Sequence, residues 1–125
     1  MDLKLELVPL PVSDVDRAKA FYTEQVGFEV DLDVQAGDRF RVIQLTPPGS
    51  SCSIAIGTGI VATAPGSVQG LHLVVSDIHA ARAELVARGL EIGEVTDMSA
   101  PGKPTVYYAG FGDPDGNTWT LQQIG

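Results

Sequence analysis

The 125 residues include 8 Lys plus Arg against 16 Asp plus Glu, a formal net charge of −8 with His neutral, and only one Cys and two His. A chain this size makes one compact domain, and its acidity offers no counterion-displacing surface for nucleic acid or anionic membrane. With 44% apolar residues but no run near the roughly 18 that cross a bilayer, and no internal disulfide available to a single Cys, a globular fold is expected.

Residues 1–6 lack the basic-then-apolar pattern of a secretory signal, so a cytoplasmic location is expected. Residues 3–12 read as an apolar strand in which Pro9 and Pro11, lacking donors, suggest an edge. Ser13 and Asp14 are suited to cap a helix, and Val15, Ala18, Tyr22 and Val26 recur on one face of it until Gly27 stops it. Strands are predicted over 28–34, 40–45 and 52–56, with the Pro47-Pro48-Gly49 turn between the last two. Residues 59–69, rich in Ala, Gly, Thr and Pro at their start, read as a linker. A second unit opens with a strand over 70–75, a helix bearing Ile78, Ala81 and Leu85, a stop at Gly89, and strands over 90–95, 105–111 and 118–123. The expected organisation is a βαβββ module over 1–58, the linker, and a second βαβββ module over 70–125, forming one α+β domain.

The modules are related in sequence. Pro11-Val12-Ser13-Asp14-Val15 is echoed by Val74-Val75-Ser76-Asp77-Ile78 at an offset of 63, which also carries Ala18 and Ala20 onto Ala81 and Ala83. Gly27-Phe28-Glu29-Val30 returns as Gly89-Leu90-Glu91-Ile92, and the turns Thr46-Pro47-Pro48-Gly49-Ser50 and Asp113-Pro114-Asp115-Gly116-Asn117 place Pro and Gly alike. This tandem arrangement, closed by Asp113-Pro114-Asp115-Gly116-Asn117-Thr118-Trp119, resembles the vicinal oxygen chelate superfamily, which includes glyoxalase I, bleomycin-resistance proteins, fosfomycin-resistance enzymes and extradiol dioxygenases. The resemblance spans essentially the whole chain. It implies two four-stranded sheets forming an open cup-shaped cavity, helices outside, and a homodimer.

The resemblance also implies where a divalent metal would be held. The four positions are Leu7, Ser53 or Ala55, Gly70 and Thr120, none with a side chain that ligates a transition metal well. No metal and no other cofactor is therefore expected, and metal-dependent glyoxalase, dioxygenase or fosfomycin-transferase activity loses its support.

The expected ligand-binding residues of the first module are Leu7, Pro9, Gln44, Ser53 and Ala55. Those of the second are Gly70, His72, Val74, Tyr107, Thr120 and Gln122. His72 shares a strand face with Gly70 and is the candidate general base. Alternation alone does not choose between Tyr107 and Tyr108, nor between the two faces of residues 40–45. Trp119 is expected in the core, His79 in solvent and Cys52 as an inert thiol, while Asp113, Asp115 and Asn117 suit turn chemistry. Arg39, Arg41 and Lys103 are candidate rim cations. The leading reading is a metal-free binder of an apolar or aromatic ligand, its acidity suiting a cationic group, as in the bleomycin-resistance branch. The alternative is a metal-independent isomerase, cyclase or lyase with His72 as base.

Overall fold

A computed structural model describes residues 1–125. The elements in chain order are β1 (Leu7–Pro9), α1 (Val15–Ala20) continuing as a π-helical turn (Phe21–Val26), β2 (Glu29–Ala36), β3 (Phe40–Thr46), β4 (Ser53–Thr58), β5 (Leu71–Val74), α2 (Ile78–Ala87), β6 (Thr96–Asp97), β7 (Val106–Gly112) and β8 (Thr118–Ile124). They form two four-stranded mixed sheets of identical order, β1-β4-β3-β2 and β5-β8-β7-β6, in which β1 runs parallel to β4 and β5 to β8. The architecture is thus two open-sheet βαβββ modules in an α+β fold.

Local chemistry explains the helices. Asp14 accepts from the Arg17 N–H at 3.0 Å and Asp77 from the Ala80 N–H at 3.1 Å, so the repeated Ser-Asp pair caps both helices through its second residue. Gly27 closes the first at φ 86°, in the left-handed region that an L side chain rarely adopts.

Three strands differ from expectation. Residues 1–6 lie outside any strand, leaving β1 only three residues long beside Pro9 and Pro11. Residues 90–95 do not form a strand: the Arg82 guanidinium donates to the carbonyls of Ile92 and Gly93 at 3.1 and 2.8 Å, occupying acceptors a ladder would use. The third difference is a register shift between Val30 and Leu32 in the longer β2.

The inward faces of both sheets and both helices share one apolar core, including Leu10, Tyr22, Ile43, Leu45, Ile56 and Ile78 at 0% exposure. The modules are sewn together on this helix side. Trp119 Nε1 donates to the Tyr22 hydroxyl at 2.9 Å, which donates to Asp113 Oδ2 at 2.8 Å. Asn117 Nδ2 donates to the Pro11 carbonyl and to Asp113 Oδ2, each at 2.8 Å. Burial, then the Asp113 negative charge, drives the Tyr22 hydroxyl well above its ordinary value. Asp113, Asp115 and Asn117 are therefore residues of turn and junction, and Trp119 is core.

Candidate functional site

With the core on the helix side, the other face of each sheet is open. On β3, Ile43 and Leu45 are buried, so Phe40, Val42 and Gln44 take the open face. Their partners there are Ala55 and Gly57 of β4, while Leu7 and Pro9 of β1 lie beside Ser53 and Ala55. Leu32 and Val34 of β2 complete an apolar surface opposite Gln44 and Val42.

A polar island interrupts that surface. The irregularity between Val30 and Leu32 turns Asp31 toward it, where the carboxylate accepts from the Thr46 hydroxyl and from Gln44 Nε2, the latter at 3.4 Å. The Thr46 and Ser53 hydroxyls lie 2.6 Å apart, and Gln44 Nε2 also reaches Ser53 Oγ at 3.4 Å. Ser53 is 4% exposed, so its hydroxyl is satisfied by these neighbours.

The second open face carries His72 and Val74 on β5, Thr120 and Gln122 on β8 and Tyr108 on β7, with Gly70 just before β5 held by an N–H bond to Thr118 Oγ1 at 2.8 Å. His72 Nδ1 lies 2.7 Å from Gln122 Oε1, an oxygen that accepts, so Nδ1 is the donor and Nε2 is turned to no protein partner. The Tyr108 ring stands edge-on to the imidazole, 5.3 Å between centroids at 80°. His72, Gln122 and Tyr108 thus form one preset cluster beside the exposed Val74.

Tyr107 does not join it. Tyr107 is opposite Gln123 and Tyr108 opposite Gln122, so the adjacent tyrosines point to opposite faces, and Tyr107 packs on the core near His79 at 6.2 Å. Tyr107, expected among the ligand-binding residues, packs on the core, and Tyr108 takes the open face. Arg41 is likewise no rim cation. It turns to the helix side, pairing with Asp33 at 2.9 Å and Asp16 at 2.8 Å. Cys52 is half-buried just before β4, its thiol 3.6 Å from the Ser53 carbonyl. Asp31, Thr46, Leu32 and Val34 also take the open face, unmarked by the sequence pattern, and alternation leaves Tyr107 and Tyr108 undecided. The bulge has no sequence marker, and the tyrosine choice needs the β7–β8 register.

The residues present do not fit the divalent ion that the family implies. Leu7 offers no donor, Gly70 no side chain, and Ser53 spends its hydroxyl on Thr46. No three His, Cys, Asp or Glu converge anywhere in the chain.

No hydrogen bond or ring contact joins the two open faces within one chain. The main cleft, about 680 Å³, lies instead between the Pro47–Ser51 turn, β5 and α2.

The sequence model of the Glyoxalase/Bleomycin resistance protein/Dioxygenase superfamily matches residues 4–121. TnmS3, an antibiotic binding protein from Streptomyces sp. CB03234, is 34% identical, superimposes with a TM-score of 0.79, and the match covers 99% of this chain and 98% of that one. A superfamily member from Sphaerobacter thermophilus DSM 20745 is 28% identical, with a TM-score of 0.75 and 98% of each chain covered. YetH of Bacillus subtilis (strain 168), described as uncharacterized, is 28% identical over 120 residues, 93% of this chain and 94% of its own. The chain belongs to the Glyoxalase/Bleomycin resistance protein/Dioxygenase superfamily.

Proposed function

We propose that the protein is a metal-free small-molecule binding protein that takes up an apolar, aromatic ligand against its open sheet faces. The observation that carries this is the character of those faces. The first is apolar around a small polar cluster of Asp31, Thr46, Ser53 and Gln44, and the second sets the exposed Val74 and the Tyr108 ring beside the polar groups of His72, Thr120 and Gln122. Binding sites are mostly apolar with a few converging polar groups that set orientation. His72 Nε2 is suited to accept from a ligand hydroxyl, Tyr108 to give a ring edge, and Asp31 to meet a cationic group. The antibiotic-binding description of TnmS3 supports the same class of function.

Because the two faces of one chain do not meet, the site is completed by a second copy, and the protein works as a homodimer. The apolar side chains open to water support this, with Leu32, Val34, Phe40 and Val74 at 39, 49, 40 and 71% exposure. No helix is long and apolar enough to cross a membrane.

A thermal-shift screen of aromatic antibiotics and aromatic metabolites, run with and without EDTA, tests the proposal. A ligand at 100 times its Kd adds about 2.7 kcal/mol to stability, and the gain should survive EDTA. No stabilising ligand, or stabilisation that requires a divalent ion, would sink it. The orientation of His72 by Gln122 also favours a second reading, a metal-independent isomerase or lyase with Nε2 as general base. His72→Ala separates the two: turnover lost with binding kept supports the enzyme, and a purely affinity-level effect supports the binder.

A further inference from the structure

The two modules meet at two pseudo-equivalent junctions, one sealed and one open. The 63-residue offset that carries Val12 onto Val75 and Ala18 onto Ala81 also carries Tyr22 onto Leu85 and Gln25 onto Arg88. At the first junction the α1 side meets the turn between β7 and β8. There Tyr22 is fully buried, stacked on Phe28 at 5.5 Å between centroids and edge-on to Trp119 at 5.8 Å. Its hydroxyl bonds Asp113 and Trp119, and the turn is tied across the junction by Asn117 to the Pro11 carbonyl and by the Ser13 hydroxyl to Asp115. Only a cleft of about 330 Å³ remains, beside Phe21, Gln25, Leu90 and Pro114.

At the second junction α2 meets the turn between β3 and β4, and both sealing devices are missing. Leu85 replaces the ring and hydroxyl of Tyr22. The hydrogen bonds of residues 47–52 all stay local: the Ser50 N–H to the Pro47 carbonyl at 3.0 Å, the Ser50 hydroxyl to the Cys52 carbonyl at 2.8 Å, the Cys52 N–H to Ser50 Oγ at 3.1 Å, and the Cys52 thiol to the Ser53 carbonyl at 3.6 Å. The result is the 680 Å³ cleft, about twice the size of its counterpart. Its walls include Val26, Phe28, Ala81 and Leu85 together with His72 and Val74 of β5. Its charges balance, since Arg88 pairs with Glu84 at 3.8 Å and donates to the Glu24 carbonyl at 3.4 Å.

A volume of this size is that of a small-molecule site, and apolar walls with a neutralised charge pair favour an uncharged occupant. We infer that the second junction binds a neutral, flat aromatic molecule of two or three fused rings, which supplies there the ring that Tyr22 supplies at the first. The cleft adjoins the second open face, because His72 and Val74 line it too, and it shares no residue with the first; its occupancy is therefore read at the turn and at α2, which carry none of the residues proposed for the open-face site.

The test is a titration of the uniformly ¹⁵N-labelled protein with 2-naphthol, followed by amide chemical shifts. Saturable, one-site shifts are expected at Gly49, Ser50, Ser51, Ala81, Leu85 and Arg88, and Ala81→Phe, which fills the cleft, should weaken that set at least tenfold. Shifts at Leu32, Val42 and Gln44 report the open face that shares no residue with the cleft and are scored separately. The inference is overturned if the cleft amides do not saturate up to the solubility limit, or if a folded Ala81→Phe binds as the wild type does. Should Ala81→Phe not fold, the wild-type map decides alone.

Discussion

The Tyr22 hydroxyl is the most economical place to test how the modules are joined. Tyr22→Phe removes one oxygen from a site where Tyr22, Trp119 and Asp113 are 0, 4 and 7% exposed. The Trp119 indole N–H then loses its acceptor, at about 1–3 kcal/mol for a buried donor left unsatisfied. Asp113 loses one donor but keeps Asn117 Nδ2 on Oδ2 and the N–H groups of Asp115 and Asn117 on Oδ1, so its share falls at the low end, about 1 kcal/mol. The expected loss is about 3 kcal/mol, or roughly 10 °C in Tm for a domain of this length. Urea unfolding should show it as a lower midpoint at unchanged slope. A double-mutant cycle with Asp113→Asn should give a coupling of about 1–2 kcal/mol, because the two side chains share one bond. The folded pKa of the Tyr22 hydroxyl lies above its unfolded value, so its stabilisation is whole below about pH 10 and fades as pH rises beyond it. The wild type should therefore lose stability above pH 10 more steeply than Tyr22→Phe. A loss under 1 kcal/mol with no coupling to Asp113 would refute the assignment of this bond as the intermodule tie.

Three further expectations test other parts of the fold. A Cβ at Gly57 would stand 1.9 Å from the Arg41 carbonyl oxygen, so Gly57→Ala should cost about 3 kcal/mol or more in a circular-dichroism melt; a neutral substitution would mean the β3–β4 register is wrong. The Arg41 guanidinium, and then Lys19, hold the Asp33 carboxyl well below the usual carboxylate range, so its contribution is present above about pH 3.8 and lost as pH falls. Asp33→Asn should be less stable than wild type at pH 7 yet lose less on acidification below pH 4, and parallel acid profiles would count against the ion-pair network. Val74→Asp puts a charge on the second open face. Light scattering at micromolar concentration should find wild type dimeric and the variant shifted to monomer, whereas a monomeric wild type would remove the homodimer from the proposed function.

Much of this arrangement is legible in the residues. The echo of Val12-Ser13-Asp14 in Val75-Ser76-Asp77 reveals two modules because a helix entry needs the same chemistry each time, an extended approach and a short acceptor at the cap. Alternation places His72, Thr120 and Gln122 together because a strand has only two faces. What stayed hidden required either register or tertiary competition. Tyr107 and Tyr108 are indistinguishable until β7 is paired with β8. Asp31 reaches the open face only through a local slip of β2 against β3. Residues 90–95 have strand composition, yet Arg82, one helix away in sequence, takes their carbonyls.

The same repeat explains why the two junctions differ although the two helices begin alike. Duplicated modules keep what each needs to fold alone, namely the caps, the helix stops and the alternating strands, since losing any of these costs stability wherever it happens. Residues at the junctions face the other module, so they answer to one particular neighbour and are free to diverge once that neighbour does. Tyr22 was worth burying only with Asp113 and Trp119 there to satisfy its hydroxyl; Leu85, facing the open cleft beside the Pro47-Pro48-Gly49 turn, has no such pair fixed opposite it, and a tyrosine hydroxyl there would exchange cleft water for nothing better. Leu85→Phe should therefore be tolerated or mildly stabilising through added apolar contact, while Leu85→Tyr should gain nothing over Leu85→Phe, as read from paired urea midpoints. A gain of about 1 kcal/mol or more for Leu85→Tyr over Leu85→Phe would mean that the second junction offers a fixed polar partner after all, and that its openness has a cause other than the missing one.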